Sequence, residues 1–543
     1  MSRTQESSPR SETPNWNAID VVVVGAGFAG MYALHRFREM GLSARVFERG
    51  TGVGGTWYWN RYPGARCDVQ SMEYSYQFSE ELQQEWKWTE RFSPQPEILA
   101  YANHVADRFD LRRDIQFETT VTAAHYHEES RRWRVETDSG DRFAARYCVM
   151  ATGCLSSWNV PEFPGLDRFE GQLLQTGQWP HEEVDFSGKR VAIIGTGSSA
   201  IQAIPIIAQQ AESLSVFQRT PNFSVPARNG LLDPGYESEI KSRYKEFRAE
   251  NSAQPGGLHT KTNDTSALAV DDDTRQSTFE DRWREGGLPF LAAFNDIGLN
   301  RAANDTAADF IRSKIHEIVD DPEVAERLCP DTTVGCKRPC VDSNYYATFN
   351  LPHVHLVDIS ENPIAEILPQ GVRVGDDVTE VDALVLATGF DAMTGALLAV
   401  DIRGREGLRL SERWAEGPKA YLGLAVSGFP NLFTITGPGS PSVLTNMIPA
   451  IEQHVDWIAD CLDHLDSNGI TAIEPERDAE EAWVSHVNDV ASLTLYPTGC
   501  NSWYQGANIP GKPRVFMPYI GYPPYVEKCN QVVSRGYEGF TLD

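Results

Sequence analysis

Positive charge is what this sequence has least of. Its 48 lysines and arginines stand against 76 aspartates and glutamates, a formal net charge of -28. A nucleic-acid partner needs a basic footprint, so that class is excluded. No apolar run reaches the roughly 18 residues of a membrane span. The first residues, Met1 to Asn17, are polar and carry prolines in place of the apolar core of a signal peptide. The expectation is a cytoplasmic protein with no membrane partner and no obligate protein partner. Nine cysteines, an odd number scattered along the chain, read as reduced core thiols, not as a disulfide framework. Ligand sets at metal spacing are missing too. Asp271-Asp272-Asp273 has no fixed ligand spacing and reads as a solvated face. Cys336 and Cys340 lack a second cysteine or histidine pair and read as structural thiols, so no metal is demanded.

What the sequence does have is 41% hydrophobic residues over 543 positions, enough for two or three globular domains. Its organising stretch is Val21 to Gly30. Four valines read as a buried parallel strand, and Gly25-Ala26-Gly27-Phe28-Ala29-Gly30 supplies the G-x-G-x-x-G turn that aims a helix N-terminus at a pyrophosphate. A second strand, Ala44 to Phe47, delivers Glu48 eighteen positions after Gly30, near the spacing of an acid that takes ribose hydroxyls. The stretch Gly52 to Asp68 follows, with Gly54, Gly55, Thr56, Trp57, Tyr58 and Trp59. Its glycines keep backbone close to a planar ligand that its aromatics enclose, as a flavin requires. A flavin disulfide reductase would carry a cysteine pair here, and only Cys67 is present.

Glu97 to Phe109 reads as a helix. Ile115 to Phe117, Val121 to His125 and Trp133 to Glu136 read as a β-meander, and Tyr147 to Gly153 as a strand ending at a sheet's carboxyl edge. A second nucleotide unit starts at Arg190 to Ile194 and turns through Gly195-Thr196-Gly197-Ser198-Ser199-Ala200. Its next strand ends in Gln218, then Arg219 and Thr220. An acid at that place would repel a 2'-phosphate, whereas arginine grips one, so the cofactor reads as NADPH. Asn222 to about Pro330 reads as a helical excursion. The fold class is α/β: two Rossmann-like dinucleotide-binding domains, for FAD and NADP, with a helical insertion. The boundaries follow: 1-154 and 390-543 for the FAD domain, 155-224 and 331-389 for the NADP domain, 225-330 for the insertion.

The two loops in this order, the Gly54 to Asp68 stretch and the pair Lys337-Arg338 resemble the Baeyer-Villiger monooxygenases over nearly the whole chain. The family fingerprint F-x-G-x-x-x-H-x-x-x-W-P aligns with Phe169 to Pro180, and Gln175 stands in the histidine place. The resemblance implies an FAD- and NADPH-dependent enzyme that uses O2 to convert a small ketone into an ester or lactone through a flavin-borne peroxide. It implies Arg338 as the catalytic guanidinium and Asp68 as the carboxylate that orients it. Lys337 would join Arg219 and Thr220 on the 2'-phosphate, and Trp503 would close over the nicotinamide ribose. Tyr74 would join Gly55, Thr56, Trp57 and Asp68 around the flavin, and Ser442, Val443, Leu444 and Met447 would face the substrate. Rival readings are a monooxygenase acting on sulfur or nitrogen, and an uncoupled NADPH oxidase or sensor flavoprotein, the latter encouraged by Gln175.

Overall fold

The computed structural model describes residues 16–543, so residues 1–15, most of the tail read from the sequence, lie outside the described residues. The chain opens on β1 (Asn17–Val24), followed by β2 (Ala44–Phe47), β3 (Ile115–Gln116), β4 (Val121–His127), β5 (Arg132–Thr137) and β6 (Arg142–Met150). These lie in one sheet with two later strands, in the order Asp401–Arg403, β4, β5, β6, β1, β2, β3, with Leu432–Thr434 paired to β6. The unbroken valines of β1 are explained by cover on both faces. Val21 and Val23 pack among the helices Phe28–Glu39 and Met447–Asn468, while Val22 and Val24 pack with Trp133 and Val135 of the meander.

One sequence expectation is corrected here. Ile115 does not join the meander; it pairs in parallel with β2, Val46 to Ile115 and Phe47 to Gln116. The helix Gln95–Arg108 lies ahead of it, and a strand that arrives by a helical crossover pairs in parallel. In this sheet only the β4–β5 and β5–β6 pairs are antiparallel.

The second sheet is parallel throughout. With β7 (Gln172–Gln175), β8 (Arg190–Ile194) and β9 (Ser213–Gln218), its order is Val354–Asp358, β9, β8, Ala383–Leu386, β7. Val191 and Ile193 face the helix Ser198–Ala208, and Ala192 and Ile194 face a three-stranded antiparallel layer built from Ile364 to Glu380. Five α-helices of the excursion, from Pro234–Ser242 to Pro322–Leu328, lie between β9 and the return of the chain at Cys340–Asp342.

A second correction concerns the thiols. Cys336 is bonded to Cys500, with Cα atoms 5.9 Å apart and 164 residues between them in sequence. Spacing could not find this pair, because the partner comes from a distant loop. Cys340 remains free and buried.

The excursion is tied to the Glu73–Phe78 segment by a buried guanidinium. Arg248, on the helix Tyr244–Ser252, donates to the Glu73 carbonyl at 2.7 Å and to Ser75 Oγ at 2.7 Å. Close by, Glu452 Oε1 accepts from the backbone N–H of Gln77 (2.6 Å) and Phe78 (3.0 Å), while its Oε2 is buried without a partner. Burial pushes the Glu452 carboxyl from its ordinary 4.5 up to about 7. The folded state therefore holds a proton that the unfolded chain has released, and stability falls as pH rises from about 4.5 to about 7. Glu452→Gln keeps an acceptor for both N–H groups and removes the charge. It is expected to raise stability at pH 8 by on the order of 2 kcal/mol and to leave it nearly unchanged below pH 5. Thermal melts of both proteins across that range check this, and a difference independent of pH would refute it.

Candidate active site

The two glycine turns are built alike. Gly25 has φ +103, and a Cβ there would lie 2.7 Å from the Ala151 carbonyl oxygen at the end of β6. Gly195 has φ +114, and its Cβ would lie 2.4 Å from the Ala387 carbonyl oxygen. In each sheet the loop thus lies against the carboxyl end of a neighbouring strand, where ligands of open α/β sheets collect. Phe28, Ala29 and Gly30 open the first helix, and Ser198, Ser199 and Ala200 the second.

The Gly52 to Asp68 stretch crosses from one loop to the other domain. A Cβ on Gly55 would stand 2.9 Å from Gly27 Cα, so two backbones meet with no side chain between them. That is the cradle an extended dinucleotide needs, and with the aromatic wall it fits FAD. Trp57 donates from Nε1 to Tyr74 Oη at 3.1 Å, and the rings meet edge to face. Thr56 opens the short helix Thr56–Trp59. Glu48 accepts from Ala26 N–H and Gly50 N–H, both at 2.8 Å, holding both sides of the first loop. Farther on, Tyr62 Oη donates to Gln202 Oε1 at 3.0 Å, and Gln202 Nε2 donates to the Arg66 carbonyl at 3.1 Å. Gln202 belongs to the helix Ser198–Ala208, so the segment that carries Asp68 is fixed to the second glycine loop's helix.

Asp68 there meets Arg338, 270 residues away in sequence. Arg338 donates from Nε to Asp68 Oδ2 and from Nη2 to Oδ1 at 3.1 Å, a two-pronged pair. Its Nη1 donates to the Val443 carbonyl at 2.8 Å. The side chain is only 20% exposed. Burial works against the guanidinium charge, and the Asp68 carboxylate overcomes it by charge and hydrogen bonding, so the net shift of Arg338 is upward. The cation is permanent.

Ser442, Val443 and Leu444 form a short turn before the helix Met447–Asn468. Val443, Leu444 and Met447 share an apolar cluster with Cys154, Met393, Trp503 and Tyr504. Ser442 is fully buried, and its Oγ lies 3.5 Å from Met393 Sδ. Both residues have left-handed backbones, φ +43 and +68. Strain of this kind, about 1–3 kcal/mol per residue, persists where surrounding structure enforces it, often at ligand sites. The Val443 carbonyl and Tyr504, whose hydroxyl burial pushes up, have no signal in the sequence that would mark them. The Cys336–Cys500 bond joins the loop carrying Lys337 and Arg338 to the loop carrying Trp503.

At the second nucleotide loop, Thr196 Oγ1 donates to the Thr220 carbonyl at 2.9 Å. Gln218 occupies the place that Glu48 holds in the first unit, yet it turns away: its Nε2 donates to the Arg327 carbonyl at 2.7 Å. Arg219 and Lys337 come together instead. Burial first, then the Arg219 charge, pulls the Lys337 ammonium below its ordinary value. Two cations held together at the end of β9 make a seat for an anion, and a 2'-phosphate fits them.

The fingerprint segment lies between these parts. Gln175 Nε2 donates to the Asn159 carbonyl at 3.1 Å, and Thr388 Oγ1 donates to the same oxygen at 2.6 Å. Gln175 Oε1 is buried with no partner. Trp179 N–H donates to the Trp59 carbonyl at 3.3 Å, which links this segment to the aromatic slot.

Comparison with known proteins agrees with this geometry. A model of the family described as flavin-binding monooxygenase-like matches residues 18–254. A Baeyer-Villiger monooxygenase of Pseudooceanicola batsensis is 43% identical over 96% of each chain. A phenazine N-monooxygenase of Lysobacter antibioticus is 42% identical over 96% of this chain and 97% of its own. Among solved structures, an oxidised steroid monooxygenase bound to NADP superposes with a TM-score of 0.93 at 52% identity, covering 97% of this chain and 99% of that one.

Proposed function

This chain belongs to the Baeyer-Villiger monooxygenases, within the flavin-binding monooxygenase-like family, and from that premise we propose that Arg338 and Asp68 are the pair that directs its oxygen insertion beside a ketone carbonyl. The cofactors are FAD and NADPH. We assign 16–154 and 390–543 to FAD, 155–224 and 331–389 to NADP, and 225–330 to the inserted helices.

The loops at Gly25–Gly30 and Gly195–Ala200 would hold FAD and NADPH, which when bound would supply hydride transfer and dioxygen activation; the residues supply the rest. A guanidinium has five N–H donors. Asp68 and the Val443 carbonyl engage Nε, Nη1 and Nη2 once each, which leaves one N–H on each terminal nitrogen uncommitted. Aimed at negative charge that develops on oxygen, such preorganised donors stabilise it without reorganisation. Asp68 fixes the direction of the fork, and the permanent charge of Arg338 keeps oxygen anions unprotonated and nucleophilic. The cluster of Val443, Leu444 and Met447, with Trp503 at its margin, excludes water and faces the substrate. The observation that carries the reading is the partly buried Arg338–Asp68 pair tied to the Val443 carbonyl. Product analysis with cyclic, linear and aryl ketones tests it: ester or lactone must form.

The phenazine N-monooxygenase relative supports a second reading, oxygenation of nitrogen. An aromatic amine or N-heterocycle in the same assay separates the two. Among the described residues no helix is long and apolar enough to cross a membrane, and we place the enzyme in the cytoplasm.

Gln175 gives the coupling its own test. Its Nε2 holds the chain at Asn159, but its buried Oε1 is an acceptor left without a donor, a cost of about 1–3 kcal/mol. Gln175→His keeps a donor and deletes that oxygen. The expected result is a smaller fraction of NADPH diverted to hydrogen peroxide, with ester formation retained. An unchanged fraction would make the position neutral.

A further inference from the structure

Far in sequence from the glycine loops, the helix Arg301–Ile318 ends in a turn and the helix Pro322–Leu328 runs back beside it. This reversal gathers three side chains of different chemistry. His316 Nε2 lies 3.4 Å from Glu326 Oε2 and 3.7 Å from Cys329 Sγ. One ligand atom from each falls within 4.8 Å of the others. We propose that His316, Glu326 and Cys329 form a surface binding site for Zn2+, with the fourth tetrahedral position open to water.

The spacing is the first argument. Zinc binds imidazole nitrogen and carboxylate oxygen at about 2.0 Å and thiolate at about 2.3 Å, so the edges of such a tetrahedron measure about 3.3 Å from N to O and about 3.5 Å from N to S. The two measured separations, 3.4 and 3.7 Å, match those edges within about 0.2 Å.

The backbone around these side chains is held in shape without metal. Asp321 caps the second helix, accepting from Glu323 N–H at 2.8 Å and Val324 N–H at 3.3 Å. Cys329 N–H donates to the Glu326 carbonyl at 3.1 Å, which sets these two ligands on one side of the turn. The carbonyls on either side of Cys329 are also fixed: Gln218 grips that of Arg327, and Arg312 Nε donates to that of Pro330 at 2.9 Å. Ordering the backbone that carries the ligands in advance removes part of the entropy that a metal would otherwise have to overcome. The ligand set of nitrogen, oxygen and sulfur suits a borderline divalent ion, and excludes Mg2+ and Ca2+, which take oxygen ligands.

The site is also accessible. The other six unbridged cysteines are buried, and Cys329 alone is half-buried. His316 is 44% exposed and Glu326 77%, so a hydrated ion reaches them without opening the fold. Bound there, it would pin the two helices from which the chain runs on toward Lys337 and Arg338.

The FAD-loaded enzyme, stripped of adventitious metal with a chelator, is titrated with Co2+ as a spectroscopic probe and with Zn2+ by calorimetry. One equivalent of Co2+ is expected to produce d–d bands to the red of the flavin absorption, bleached by Zn2+, and Zn2+ is expected to raise the thermal midpoint. Cys329→Ser and His316→Gln should each weaken Zn2+ binding by about tenfold or more and abolish the Co2+ bands. Neither side chain touches the glycine loops or the Arg338–Asp68 pair, so both variants should retain flavin and turnover. Absence of the bands in the wild type at saturating Co2+ overturns the site. So does their persistence in either variant.

Discussion

Arg338→Ala is expected to lower ester formation by a factor of about 10²–10³, the usual consequence of losing one preorganised donor at developing oxygen charge. NADPH should still reduce the flavin. The two glycine loops proposed to hold the cofactors rest against carbonyls at Ala151 and Ala387, not on Arg338, so hydride transfer is not expected to depend on it. Electrons would then leave as hydrogen peroxide. Arg338→Lys should not rescue the reaction. A lysine offers a point charge and no planar fork, so it cannot meet both oxygens of Asp68 and the Val443 carbonyl while keeping donors free. Asp68→Ala is the complementary variant. It leaves a charge that is 20% exposed without its partner, and breaking such a pair costs more than the pair contributes. Stopped-flow reduction, peroxide yield and product chromatography are read on the same samples. Ester formation by Arg338→Ala at the wild-type rate would remove Arg338 from the mechanism.

How much of this was legible before the fold was known depended on distance along the chain. The two glycine turns could be read because a strand, a tight turn and a helix start are local, and Gly25 and Gly195 occupy equivalent places beside a strand end. The β1 valines also announced themselves, since a strand covered on both faces has no polar alternation. Ile115 misled, because two paired residues carry no period, and only the preceding helix decides which neighbour they meet. The three-stranded layer of Ile364 to Glu380 had no such adjoining glycine turn and helix to mark its strands of four or five residues.

Contacts made across hundreds of residues had no sequence signature of their own. Arg338 and Asp68 were coupled by resemblance to a family, and no spacing rule predicts the Val443 carbonyl as the third partner. The Cys336–Cys500 bond was misread because cysteine counting assumes that pairs show themselves by spacing. Gln218 is subtler. Position marked it as the counterpart of Glu48, but its side chain serves the helical excursion through Arg327. The proposed phosphate seat therefore pairs Arg219 with Lys337, a residue that only the return of the chain brings near.

Arg219→Ala and Lys337→Ala are each expected to raise the KM for NADPH by about 10- to 100-fold, the worth of one charge-assisted hydrogen bond at roughly 1.5–3 kcal/mol. KM for NADH should change little, because that cofactor brings no phosphate to the two cations. The like charges also oppose each other before any ligand arrives, which is part of why the Lys337 ammonium sits below its ordinary value. Each replacement thus removes a repulsion as well as a contact, and neither variant should melt lower than the wild type. For the same reason the double variant should lose less than the product of the single losses, since the two side chains share one dianion and one repulsion. Salt separates this from a packing defect: added electrolyte should weaken NADPH binding in the wild type and do so less in either variant. Equal increases in KM for NADPH and NADH would mean that the pair supports the loop and does not hold the phosphate.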